Sequence, residues 1–282
     1  MNLHIAAAAR ALLPVRFGQR PPLYSPRFPF LLLWSHKAAS TALAQWFFAQ
    51  IGSPHLECGD RDAIHRYAGL GIHAYQFDVH CRGAAYRLRC RYALAGALPV
   101  IRFVRDPAAR AFSAFLATRR GVVRERPDFW GARVSRRVIA FKGMPEPFGA
   151  YSFADFVEWM AATPVPRQNP HVRQQWMPFE AGRRIEYVPI EHLVTALAGL
   201  EHRFGLQAVS ARADIFHSGH HRPPPLPVDA ETLDAVLHEP VMPGRFDGVS
   251  APVVDSAALR TSALGERLRS VLAADYRACP QY

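Results

Sequence analysis

Two short apolar runs, PFLLLWS at 29–35 and LPVIRFVRD at 98–106, each lead directly into a helical pattern. That repetition constrains the fold more than any other feature of the chain. A run without polar alternation suits a parallel strand covered on both faces. After the first run, HKAAST bridges to a segment in which Leu43, Trp46, Phe47 and Ile51 recur at helical spacing. Ser40 or Thr41 is the expected N-cap there, and Gly52 the stop signal. After the second run, Asp106 and Pro107 supply an N-cap acid and a first-turn proline, and the helix continues through AARAFSAFLATRR.

The pattern continues along the chain. YSFADFVEWMAA at 151–162 predicts a helix capped by Ser152, with Asp155 in the capping-box position. RRIEYVPIEHLVTAL at 183–197 reads as a strand, a turn at Pro189 and a helix, and the tail from Ser256 to Tyr276 reads as helix. Residues 119–142 are rich in arginine and low in apolar regularity, so a loop with some helix is expected there. Alternating strands and helices predict an α/β layer fold in a single domain, without internal repeats. The length of 282 residues permits one large core or two small ones.

Charge narrows the partners. A net charge of +11, nearly all from arginine, favours polyanions and suits bidentate contact with phosphate, sulfate and carboxylate. The alternative is that genome composition enriches arginine and alanine together. Cys58, Cys81, Cys90 and Cys279 form no Cys-x-x-Cys pair, which argues against structural zinc and a disulfide scaffold, and for reduced thiols in a cytosolic protein. The N-terminal apolar stretch is broken by Arg10 and Arg16, too short for a membrane span and poor as a secretory signal. Residues 1–28 are read as an N-terminal extension. His217, His220 and His221 sit in a Pro-rich stretch with no common metal-site spacing.

HKAAST has the makings of an anion cradle. A strand-to-helix bend presents backbone N–H groups at the positive end of the helix dipole. Lys37 adds a full charge, and Ser40 and Thr41 add hydroxyl donors. It is not a Walker A loop, because the glycines are absent and the lysine precedes the serine by three residues. The bland alternative is an ordinary turn with a surface lysine. Arg105, at the end of the second run, and Ser113, two turns into its helix, offer a second phosphate site in the following strand–helix unit.

HKAASTAL resembles the 5′-phosphosulfate loop of sulfotransferases that use 3′-phosphoadenosine 5′-phosphosulfate (PAPS). FVRDPAARAFSAF is similar to their 3′-phosphate motif, with its Arg-Asp-Pro, following arginine and later serine. The likeness is to the carbohydrate sulfotransferases of the Golgi type and their bacterial relatives, and the Lys-Ala-Ala-Ser-Thr form resembles heparan and dermatan 2-O-sulfotransferases. Weaker likeness extends over 29–282, through YSFADFVEWM, IEYVPIEHL and ADYRACPQY. The resemblance implies a P-loop-like central parallel sheet flanked by helices, PAPS as donor and no metal. Carried over by position, Lys37, Ala38, Ala39, Ser40, Thr41 and Ala42 would hold the 5′-phosphosulfate, and Arg105 and Ser113 the 3′-phosphate. The loop's usual first residue, proline, is replaced by His36, which puts its stiffness in question.

The chemistry also needs a base for the acceptor hydroxyl, and histidine suits neutral pH. The resemblance places it between the two motifs, before an aromatic-rich strand. GIHAYQFDVH offers His73 as first choice and His80 as second, and Glu57 is an outside candidate because other sulfotransferase branches use glutamate. As a strand, the segment would turn His73 and His80 to opposite sides, since they are seven residues apart. The arginines at 119, 120, 124, 126, 133, 136 and 137 are candidates for the acceptor side or for a solvated face, and His171, Arg173 and Gln174 in NPHVRQQW resemble a loosely matched family segment near the acceptor. The expected partner is a carbohydrate or glycolipid, anionic in character, with peripheral membrane contact allowed, a cytoplasmic location and no nucleic acid. The rival classes are an atypical nucleotide-dependent kinase and a basic nucleic-acid-binding protein. Neither has its motif here: no Walker A loop, aromatic RNA-binding motif or helix-turn-helix is found.

Overall fold

A computed structural model describes residues 20–52, 72–96, 98–212, 227–228, 230–247 and 253–282. In chain order the main elements are β1 (Leu31–Leu33), α1 (Ser40–Gln50), a helical segment at 72–80, α2 (Ala84–Ala95), β2 (Val100–Val104) and α3 (Pro107–Thr118). There follow α4 (Val122–Glu125), α5 (Trp130–Phe141), α6 (Phe153–Ala162), β3 (Glu186–Pro189) and α7 (Leu193–Phe204). The chain ends with β4 (Pro227–Val228), α8 (Ala230–His238), β5 (Val253–Val254), α9 (Ser256–Thr261), α10 (Ala263–Val271) and α11 (Ala273–Ala278). Glu57, Cys58, His217, His220 and His221 lie outside the described residues, as does the N-terminal extension before Arg20. The chain divides into two compact units, Met1–Val104 with Met177–His220, and Arg105–Trp176 with His221–Tyr282.

The first unit is built on a parallel sheet in the order β1–β2–β3, with Leu32 opposite Ile101 and Phe103 opposite Val188. Within the two runs, the strands β1 and β2 are buried at every residue, as expected of strands covered on both faces. Alternation sorts their side chains. Leu32, Ile101 and Phe103 enter one core with Leu43, Trp46 and Phe47 of α1 and Leu197 and Leu200 of α7. Leu31, Leu33 and Val100 enter another with Tyr86, Cys90 and Leu94 of α2. Residues 20–28, assigned to the extension on sequence grounds, contribute to this packing: Leu23 bridges Leu32, and Phe28 is buried against Trp46 and Phe47.

One charge lies inside the sheet. Arg102 on β2 is buried, ion-paired to Glu180 at 3.1 Å and hydrogen-bonded to Ser35 Oγ at 2.8 Å. Glu180 also accepts from the Met177 N–H and the Tyr187 hydroxyl, so both carboxylate oxygens are matched. The sequence pattern named the apolar neighbours of Arg102 and passed over the arginine itself.

The second unit is mainly helical, with α3, α6, α8, α9 and α10 contributing to one core that includes Phe112, Phe115, Phe153, Phe156 and Trp159. Asp106 caps α3 by accepting from the Ala109 N–H, with Pro107 in the first turn, and Ser152 and Asp155 form the reciprocal capping box of α6. Both helix starts agree with the sequence reading. The loop expected at 119–142 is instead largely helical. Gly131, Ala132, Val134, Ser135, Val138 and Ile139 line the buried face of α5, and the exposed arginines 133, 136 and 137 occupy the other. Small and polar residues on the inner face hid the 3.6-residue period.

Arg119 departs from its expected place on a cleft wall or a solvated face. It is fully buried, donates to the carbonyls of Gly149 and Val241 and to the Ser135 hydroxyl, and lies 3.6 Å over the Tyr151 ring. Burial pulls its pKa down to about 10, which still leaves it charged at neutral pH.

Candidate functional site

The bend between β1 and α1 is held by its backbone. Lys37 and Ala39 both adopt left-handed geometry, with φ of 65° and 51°. Such a conformation costs a residue with a Cβ on the order of 1–3 kcal/mol, and it persists only where the surroundings impose it. Left-handed residues in a turn aim successive N–H groups into one concavity, which is how backbone nests hold anions. The helix begins one residue earlier than a serine or threonine cap predicts. Ala39 is the N-cap and makes no side-chain cap bond, so the side chains of Ser40 and Thr41 are not committed to capping.

The floor of this loop is rigid. Ser35 Oγ accepts from Arg20 at 2.9 Å and from Arg102 at 2.8 Å, and the Ser35 carbonyl accepts from the Ala38 N–H at 3.2 Å. His36, in the place of the resembled family's proline, is nearly buried and meets the Trp34 ring edge-on at 4.9 Å. Stiffness that a proline would supply through φ comes here from packing and from a buried guanidinium pair.

Residues 72–80 are not the expected strand. Ile72–Ala74 is a helical turn that widens into a π-helix over Tyr75–His80, closed by the Cys81 N–H donating to the Gln76 carbonyl. The β-branched and aromatic content suggested a strand, but the two buried positions, Gln76 and Cys81, lie five residues apart, at the π-helical interval. The opposite-faces argument therefore does not apply, yet the two histidines still differ. His73 Nε2 lies 3.0 Å from Thr41 Oγ1, and its Nδ1 lies 3.2 Å from Gln76 Oε1. Gln76 is fully buried. Since a carbonyl oxygen only accepts, Nδ1 carries the proton, and the Nε2 lone pair accepts from the Thr41 hydroxyl. Burial lowers the His73 pKa and keeps the ring neutral. His80 instead contacts Phe47, Phe48 and Tyr86, with Nε2 3.0 Å from the Tyr24 carbonyl. The first unit thus joins Thr41 of the loop to His73 and leaves His80 in an aromatic nest.

In the second unit Arg105 and Ser113 are both partly buried, one at the lead-in to α3 and the other on the helix. Gln175 grips the Arg105 backbone from both sides, accepting from its N–H at 3.0 Å and donating to its carbonyl at 2.8 Å. Arg110, one turn before Ser113, is fully buried and donates to the carbonyls of His171, Val172 and Arg173 at 3.3, 3.0 and 2.6 Å. Asp275 accepts from the N–H groups of Gln175 and Trp176. The 171–176 segment and the start of α3 are therefore one bonded assembly. Gln175 and Asp275 had no sequence signal beyond lying in segments of weak family likeness.

Among the described residues no three His, Cys, Asp or Glu side chains are grouped to hold a metal, and no helix is long and apolar enough to cross a membrane. Cys81, Cys90 and Cys279 are buried free thiols, and burial pushes Cys81 and Cys90 up to about 12. The chain is an α/β protein with a small parallel sheet and a strand–loop–helix bend that is left-handed at Lys37 and Ala39. Compared with known protein families, curated proteins and solved structures, it matches none of them.

Proposed function

We propose that the chain is a sulfotransferase that moves the sulfuryl group of PAPS to a hydroxyl of a carbohydrate acceptor, on a P-loop-like sheet. The observation that carries this reading is the hydrogen bond between Thr41, in the left-handed loop, and the neutral Nε2 of His73. It places a proton acceptor one hydroxyl away from the anion cradle, as hydroxyl-directed group transfer requires.

The residues present suit the donor. Backbone N–H groups of the loop and first turn of α1, with Lys37, the Ser40 hydroxyl and the Thr41 hydroxyl once it turns from His73 and frees Nε2, are the donor set for a phosphosulfate, and Arg105 and Ser113 for a 3′-phosphate. When bound, PAPS supplies the sulfuryl group and a phosphate leaving group. In the proposed step the acceptor oxygen forms a bond to sulfur while its proton passes to His73 Nε2. The bond from sulfur to the bridging oxygen breaks, and its electron pair stays with adenosine 3′,5′-bisphosphate. Lys37 offsets the charge that grows on that oxygen. Gln76 keeps the Nδ1 proton in place, so that Nε2 is the basic nitrogen.

A thermal-shift titration with adenosine 3′,5′-bisphosphate in the presence of a metal chelator tests the reading. Ligand at about a hundredfold over its Kd should add about 2.7 kcal/mol of stability. The Lys37→Ala protein should stay folded and transfer no sulfate. No shift in the parent protein, or parent-level turnover by Lys37→Ala, would sink the proposal.

A further inference from the structure

We propose that Arg173 is a ligand-binding residue of the second unit, which takes an oxyanion (carboxylate, sulfate or phosphate) through two parallel hydrogen bonds. The Nε–H and Nη2–H of an arginine point the same way and match two oxygens of such a group. On Arg173 both of these nitrogens are buried, and neither has an acceptor. No other arginine among the described residues is in this state. Arg20, Arg91, Arg102 and Arg110 leave Nε alone without an acceptor. The terminal nitrogens of three of them are used, on Ser35 and Met177, on Ser35 and Glu180, and on the carbonyls of residues 171–173.

A guanidinium stripped of water ordinarily finds a carboxylate, because an unmet buried donor costs stability. The arrangement around Arg173 is nonetheless preserved by strong bonds. Its carbonyl accepts from Arg110, and two residues on Gln175 is tied to both Arg105 and Asp275. The backbone is fixed while one edge of the side chain is left unmatched, as in a preorganised recognition residue. Burial also holds the Arg173 pKa below that of a free arginine, as expected for a cation without a counter-ion. The residue as a whole is only partly buried, so its side chain lies close to the surface of the unit.

Two sources supply this chemistry: an acidic group on the acceptor, or a phosphate of the nucleotide. The choice of the acceptor rests on the function proposed above, where Arg105 and Ser113 already take the 3′-phosphate. The oxyanion site itself does not rest on it.

Calorimetric titration of the full chain at physiological ionic strength separates the cases. The probes are a sulfated dextran oligosaccharide, neutral dextran of the same length, and adenosine 3′,5′-bisphosphate. Arg173→Gln should weaken sulfated dextran by about tenfold or more, leave the bisphosphate unchanged, and melt no lower than the parent. Arg173→Lys, which keeps the charge and loses the fork, should recover only part of the affinity. Arg136→Gln on the exposed face of α5 should change it less than twofold. If Arg173→Gln weakens the bisphosphate instead, the site stands and its anion is the nucleotide's. If the parent binds sulfated dextran through Arg173 and no bisphosphate, the site stands and the nucleotide reading falls. Unchanged affinity for both probes in Arg173→Gln, or a melting temperature several degrees lower, overturns the proposal.

Discussion

Replacing Ala39 by glycine should stabilise this protein, the reverse of what the change does within a helix. Ala39 sits at φ 51° and ψ 27°, at the N-cap of α1, without a side-chain cap bond. An L-residue in that region pays roughly 1–2 kcal/mol that glycine does not. Against this stands the extra freedom of glycine in the unfolded chain, roughly 0.5–1 kcal/mol. The difference favours Ala39→Gly by about 0.5–1 kcal/mol, and Ala39→Val should be clearly less stable, because a β-branched residue tolerates left-handed geometry poorly. Urea denaturation reads the effect as a shift of the midpoint at constant slope. The proposed function adds a second limb. A loop preset by strain binds its anion without an ordering cost, so Ala39→Gly should bind adenosine 3′,5′-bisphosphate more weakly although it folds more stably. A glycine variant with a lower midpoint at the same slope would refute the left-handed loop. A more stable variant with unchanged affinity would refute its role in binding.

His73→Ala should lower kcat by about 10²–10⁴-fold with bisphosphate affinity nearly intact, while His80→Ala should reduce stability and spare the chemical step; the reverse pattern would exchange their roles. Burial holds both imidazoles below their ordinary 6.5, so the folded chain takes up these protons less readily than the unfolded one. Their contribution to stability should be constant above about pH 6.5 and fall as pH drops below it, and a melting temperature that rises on acidification would contradict this. Arg105→Ala should weaken adenosine 3′,5′-bisphosphate about tenfold or more and adenosine 5′-phosphate much less, with Ser113→Ala following the same direction; equal losses would misplace the 3′ site. Glu180→Leu strands the buried Arg102 charge and should cost about 3–5 kcal/mol, read by chemical denaturation. A neutral outcome would mean that the pair does not brace the sheet.

Much of the scaffold was legible because local signals coincided. At α3, Asp106, Pro107 and the apolar spacing all mark the same helix start, and at α6 Ser152 and Asp155 do so. The two buried strands were legible as short apolar runs, the second in spite of Arg102. What escaped was decided by partners distant in sequence. Gly131 and Ser135 look unfit for a core, and they serve because Phe129 packs on the glycine and Arg119 bonds the serine. The histidine segment carries strand-like residues, but it forms a π-helix that buries Gln76 and Cys81, five residues apart. In the candidate site, Lys37 and Thr41 were singled out by residue type and their place in the bend, and His73 through the family resemblance. Gln76, which fixes the His73 tautomer, gave no signal, because an internal glutamine is indistinguishable in sequence from a solvated one.

The absence of glycine from HKAAST is the feature that joins these observations. A left-handed bend needs backbone that most residues avoid, and glycine is the usual way to reach it. Here Lys37 and Ala39 reach it instead, at a conformational cost that the first unit must offset. The offset is visible beneath the loop, where Ser35 is held between Arg20 and Arg102, Arg102 by Glu180, and Glu180 by Tyr187 of β3. The buried arginine in a strand of valine, isoleucine and phenylalanine is then not an isolated oddity. It ties the strained bend to the sheet, so that the loop's shape is set by the core and not by the loop's own sequence. A lysine at one of the two left-handed positions has a further consequence. The residue that supplies the charge also supplies part of the backbone curvature, and no glycine in its place could do both.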